Sequence, residues 1–203
     1  MLFAGSPGTG KTPTAETIAE KVQRPLYVLS AGQLGYGMEI ETRLKEALDL
    51  SEKWNAILLL DECDVFLQER SMGHLEHNKV MAVFLRLLEY YRGTLIMTTN
   101  RSDTIDHAFQ IRIDLTLQYL DLDTSSKKEI WRHFIGRSNP EATLNDRDYD
   151  RLSRISMNGR QIKNTVKIST ILASRKKQRL GMDHLQTVLD AANGSGVGLF
   201  RTW

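Results

Sequence analysis

The chain has 203 residues, 41% of them hydrophobic and 26% charged, with a formal net charge of +2. This is ordinary for a soluble globular protein, and long enough for one domain or one domain with a small satellite. No apolar run approaches the ~18 residues of a membrane span, the N-terminus lacks the order of a secretory signal, and the lone Cys63 excludes an internal disulfide. The expected setting is therefore intracellular and reducing: cytoplasm, nucleus or organelle matrix.

Met1 to Ala4 is a short apolar run, read as a first strand. Ala15, Ile18, Ala19 and Val22 then recur at helical spacing, and Pro13 fits because it falls in the first turn, where its missing N–H has no partner to lose. Pro25 to Leu29 reads as a strand, and Ile40, Leu44, Ala47 and Leu48 mark one face of a second helix. Ala56 to Leu60 is continuously apolar, the pattern of a central parallel strand buried on both faces. Val80, Phe84, Leu87, Leu88 and Tyr91 predict a third helix, and Thr94 to Thr99 a further buried strand. Ile113, Leu115 and Leu117 alternate with polar residues, predicting a strand with one wet face. Strands alternating with helices imply a parallel sheet covered by helices.

From about residue 123 no strand is evident. Ile130, Trp131, Phe134 and Ile135 form a helical stripe, with Asp123 or Thr124 as its cap and Gly136 as its stop. Weaker helical patterns cover roughly residues 146–155 and 160–175, and a last one runs from Asp183 to Ala192. The expected organisation is an α/β domain over 1–122 and a helical domain over 123–203. The charge follows that division. Residues 1–122 hold 12 Lys/Arg against 17 Asp/Glu, a balance of −5, and residues 123–203 hold 15 against 8, a balance of +7. The basic end reads as a solvated surface facing an acidic neighbour. Nucleic-acid binding is the sharper alternative, but no aromatic–basic interleaving or motif supports it, so nucleic acid is not an expected partner.

Three stretches carry chemistry. Gly5-Ser6-Pro7-Gly8-Thr9-Gly10-Lys11-Thr12 fits the phosphate-loop pattern G-x-x-x-x-G-K-[ST] without a mismatch, between a strand and a helix as that motif requires. Its glycines let successive N–H groups turn toward one anion, and the following helix adds its positive end. Lys11 places a charge on the outer phosphates and Thr12 offers a hydroxyl to Mg²⁺. The second stretch is Ile57-Leu58-Leu59-Leu60-Asp61-Glu62, a buried strand ending in two carboxylates at the edge where open α/β sheets bind ligands. Asp61 is expected to hold Mg²⁺, directly or through water, and Glu62 to orient and deprotonate an attacking water. In the third stretch, Leu95 to Arg101, Asn100 ends the next strand within reach of a γ-phosphate or a water; the alternative is a turn residue. His74 and His77 lack an evident third ligand, and Cys63 lacks an activating base, so neither is expected to carry chemistry.

Taken together, Gly5–Thr12, Leu60-Asp61-Glu62-Cys63-Asp64 and Asn100 to Ile113 resemble the AAA subgroup of the AAA+ ATPases, most nearly the uncharacterised fungal-type AAA domains. The resemblance covers nearly the whole chain. It implies a P-loop NTPase sheet flanked by helices with an all-helical C-terminal lid, and ATP and Mg²⁺ as cofactors. It further implies hydrolysis of ATP in a homo-oligomeric ring, usually a hexamer, that remodels a protein partner presented directly or by an adaptor. A nucleotide-gated scaffold with little turnover is the alternative. The resemblance gives Arg112 the role of an arginine finger reaching a neighbouring subunit's site, the alternative being an arginine paired with Asp114 or the surface. Two readings stand for Arg160, which opens a lid helix: a nucleotide contact or a solvated helix-start residue. Two also stand for Tyr36, between Gly35 and Gly37: a pore-lining aromatic or an ordinary turn. Members of the family carry an upstream segment that helps enclose the adenine. The chain starts almost at its first strand, which implies a fragment or a half-open base pocket.

Overall fold

The computed structural model describes residues 1–34, 38–67, 75–101, 105 and 107–194. It forms two compact units, Met1–Leu120 and Asp121–Trp203. Tyr36, His74 and the His77 side chain lie outside the described residues.

In the first unit, five described strands make one parallel sheet: β1 (Leu2–Gly5), β2 (Leu26–Ser30), β3 (Ile57–Asp61), β4 (Thr94–Thr99) and β5 (Thr116–Tyr119). Their order is β2-β3-β4-β1-β5, so the first strand of the chain lies between β4 and β5. Helices α1 (Lys11–Lys21), α2 (Met38–Lys53) and α4 (Leu75–Tyr90) connect the strands, with short α3 (Asp64–Leu67), α5 (His107–Gln110) and a 3₁₀ turn at Ala31–Leu34.

Period-two alternation sends successive strand residues to opposite faces. Phe3, Ile57, Leu59 and Ile96 pack with Ala15 and Ala19 of α1. Leu2, Leu58, Leu60 and Met97 pack on the other face with Leu44 and Leu48 of α2 and Met81 and Phe84 of α4. Both faces are therefore dry, which is why β3 needs an unbroken apolar run; burying each such side chain stabilises by about 1.5–3 kcal/mol. The edge strand β5 alternates exposed and half-buried residues. It begins at Thr116, where β1 offers Leu2 as a partner. Ile113 instead closes a turn after α5, its N–H reaching Gln110 O.

The second unit contains α6 (Thr124–Ser138), α7 (Asp146–Ser153), α8 (Gly159–Arg175) and α9 (Met182–Gly194). Trp131 and Ile135 of α6 meet Leu152 of α7, Ile162 and Val166 of α8, and Leu185 and Leu189 of α9. The Asp123 side chain caps α6, accepting from Ser126 N at 2.7 Å. The caps of α7 and α8 are reciprocal boxes, Asn145 with Asp148 and Asn158 with Gln161. These caps satisfy end N–H groups that weakly patterned helices cannot leave bare. Gly136 does not stop α6, which runs on to Ser138. No helix among the described residues is long and apolar enough to cross a membrane.

Candidate nucleotide site

The site is built where β1, β3 and β4 end. β3 and β4 pair up to Leu60↔Met97. Beyond that pair Asp61 is matched to Ser30 of β2, and Thr98 to Phe3 of β1. The strands part there, and a crevice at the carboxyl ends of parallel strands is the place for a ligand.

The loop leaving β1 is shaped by its neighbours. Gly5 has φ 147°, and a Cβ built on it would lie 2.2 Å from Tyr119 O of β5. Only a residue without a side chain lets β5 pass so close. Gly10 caps α1 with a left-handed φ of 103°, a conformation that costs other residues roughly 1–2 kcal/mol. Between them Ser6 and Pro7 are exposed, and Thr9 Oγ1 donates to Ser6 O at 2.8 Å.

Lys11 is 7% exposed. Its Nζ donates to Gly5 O at 2.7 Å, Ser6 O at 2.9 Å and Asn100 Oδ1 at 3.0 Å. The next residue turns toward β3, and Thr12 Oγ1 lies 3.1 and 3.2 Å from the two Asp61 oxygens. Thr98 Oγ1 donates to Asp61 Oδ1 and accepts from Glu62 N at 3.0 Å. Glu62 is exposed and has φ 59°. One residue along β4, Thr99 Oγ1 donates to Asp64 Oδ1, which also accepts Asn100 N–H at 2.8 Å.

Lys11 with Asn100 and Thr12 with Asp61 thus form a cluster of two hydrogen-bonded pairs on adjacent residues of α1, with Glu62 following Asp61 at its rim. A hydroxyl beside a carboxylate is a hard-oxygen pair that fits Mg²⁺, a cation usually held by one or two protein ligands plus phosphates and water. Among the described residues no group of three or more His, Cys, Asp or Glu could hold a metal without such help. Cys63 is fully buried, its Sγ donates to Leu60 O at 3.1 Å, and burial pushes its thiol far above the ordinary range. It is an inert packing residue.

Arg112 does not join the cluster. Its Nη1 donates to Ala108 O at 3.1 Å and its Nη2 lies 3.6 Å from Glu89; it pairs with Glu89 rather than Asp114. It shares a cleft with Met1, Thr94 and Leu95, the residues at which β1 and β4 begin. Because the strands are parallel, this is the opposite edge of the sheet, about 17–20 Å away for a strand of ordinary length. Arg160 is exposed in the first turn of α8, in the second unit.

Comparison with known proteins places the chain in a family. The family model for the ATPase family associated with various cellular activities (AAA) matches residues 1–119. An uncharacterised AAA family ATPase, y4kL of Sinorhizobium fredii, is 32% identical over 59% of this chain and 38% of its own length. An ATP-dependent zinc metalloprotease, FtsH 3 of Sphaerobacter thermophilus, is 28% identical over 87% of this chain, again 38% of its own length. The chain therefore spans less than half the length of these curated relatives. The crystal structure of the FIGL-1 AAA domain in complex with ADP superposes with a TM-score of 0.75 at 16% identity, covering 94% of this chain and 70% of that one; at that identity the likeness is one of fold. The family match spans more than half of the chain and contains every element that builds the cluster, so the chain belongs to the AAA ATPase family.

Proposed function

We propose that the chain binds Mg-ATP and hydrolyses it to ADP and phosphate in a ring of copies, using the turnover to remodel a protein or complex. The convergence of Lys11 with Asn100 and of Thr12 with Asp61 carries this reading. A phosphate-loop cation, a Mg²⁺ ligand pair and a polar residue at the next strand end are the parts that water attack on a γ-phosphate requires. The loop from Gly5 to Thr12 would cradle the phosphates through its N–H groups, with Lys11 on the outer ones. Thr12 and Asp61 would hold Mg²⁺. When bound, that ion supplies charge that neutralises the outer phosphates. Glu62 takes the proton from the attacking water, and Asn100 holds that water in place. Arg160 is the candidate phosphate contact from the helical lid.

Arg112 completes the site from a second copy. Its exposed position at the opposite end of the strands from the Lys11 and Asp61 pairs supports this, since a guanidinium there is open to a second copy.

The test is phosphate release per chain with Mg-ATP across a wide range of protein concentration. Specific activity that rises with concentration supports a shared site. Bound nucleotide without turnover at any concentration would replace this reading with that of a nucleotide-gated scaffold.

A further inference from the structure

Where β3 and β4 part, the Thr98 side chain reaches back to the β3 exit. Thr98, the last residue but one of β4, is 2% exposed. Its hydroxyl accepts the Glu62 N–H at 3.0 Å and donates its single hydrogen to Asp61 Oδ1. Its carbonyl accepts the Cys63 N–H at 2.8 Å. Thr98 therefore holds three consecutive residues of the β3 exit, just past the last β3–β4 pair, Leu60↔Met97. The direction of these bonds is fixed, since an ionised carboxylate can only accept and a peptide N–H can only donate.

Glu62, in the middle of this grip, has φ 59°. For a residue with a side chain that backbone is strained, and it persists only where the surroundings impose it. Packing alone would be met by valine, which has the same branched shape and an equal liking for strands. A hydroxyl this buried calls for a polar reason.

We propose that Thr98 is a positioning residue for the Asp61–Glu62 pair: its hydroxyl holds the left-handed turn that sets the direction of the Glu62 carboxylate, and orients Asp61 beside Thr12. This rests on the reading of Glu62 as the base. Thr98 acts through Asp61 and Glu62, the residues its hydroxyl meets.

The experiment compares Thr98→Val, Thr98→Ala and Thr98→Ser with the unaltered full chain, by amide hydrogen exchange and by phosphate release at a concentration that saturates assembly. In the Val and Ala variants, exchange of the Glu62 amide is expected to accelerate about tenfold, with Leu59 and Ile96 unchanged. In the same variants kcat is expected to fall about tenfold or more and KM to stay within about twofold. Serine should restore both. Having Val and Ala together guards against a single variant that fails to fold. Unchanged Glu62 exchange would overturn the proposal, as would lost protection with unchanged kcat. Equal acceleration at Leu59 and Ile96 would reduce Thr98 to an ordinary strand residue and overturn it too. If the unaltered chain releases no phosphate, the reading of Glu62 as a base falls, while the exchange data still decide whether Thr98 grips the turn.

Discussion

Lys11 is a buried cation that its own loop solvates. Two main-chain carbonyls and the Asn100 amide take the place of water around Nζ, so phosphate oxygens have to win the ammonium from neutral acceptors, which a charged group does. Lys11→Ala should weaken ATP binding by about tenfold to a hundredfold, as expected for a charged hydrogen bond, and titration calorimetry reads this directly. Glu62→Gln should behave oppositely. The side chain is exposed, so affinity is kept, while turnover drops by about 10²–10⁴ with loss of a general base; unaltered turnover would show that the base lies elsewhere. At Gly5 an added Cβ would meet the backbone and Cβ of Tyr119, atoms that cannot swing away. Gly5→Ala should therefore lower the melting temperature and nucleotide affinity together, with a stability cost of about 1–3 kcal/mol. The cluster's members were legible because each residue type is tied to a phosphate or a metal at a fixed spacing. Thr98 and the backbone of Glu62 were not. A threonine in a strand reads as a strand former, and a left-handed glutamate leaves no mark in its own sequence.

Helices and strands long enough to show a period could be read from the chain, and helical segments of four residues could not. α3, α5 and the 3₁₀ turn each span one turn, too little for a 3.6-residue repeat to show. β5 misled in its start, because alternation continues back to Ile113 whereas hydrogen bonding begins where β1 has a partner to give. Gly136 misled as a stop. Mid-helix glycine costs only about 1 kcal/mol against alanine, and α6 continues to its C-cap at Asn139. The caps of the helical unit make a further prediction. The Ser126 N–H, with the Ser126 and Ser125 hydroxyls, holds the Asp123 carboxyl below the ordinary carboxylate range. A folded-state pKa lowered in this way stabilises above the ordinary carboxylate pKa, and the contribution disappears as pH falls through the lowered value. Asp123→Asn keeps an acceptor and removes the titration. In urea unfolding followed between neutral and acid pH, the variant should lose less stability toward acid than the parent; equal slopes would mean that the cap does not couple to unfolding.

If Arg112 serves a second copy as proposed, a sheet with its phosphate cluster at one end of the strands and Arg112 at the other would join copies head to tail rather than face to face. Arg112→Ala and Glu62→Gln should each be inactive alone. Mixed in equal amounts they should regain activity, since random assembly in a closed ring completes roughly a quarter of the shared sites. Absence of rescue in well-mixed assemblies would argue against Arg112 acting between copies. The strand order also sets a schedule. Of the strands of this sheet β1 is synthesised first, yet its seat lies between β4 and β5, and Gly5 rests against Tyr119. Every chemical group of the cluster, from Lys11 to Asn100, leaves the ribosome before that seat exists. A nascent chain halted at residue 101 would carry the whole inventory while its phosphate loop hung from an unflanked strand. Such late, long-range closure is intrinsically slow, and a fluorescent nucleotide present during translation should stay dark until Thr116–Tyr119 have cleared the exit tunnel.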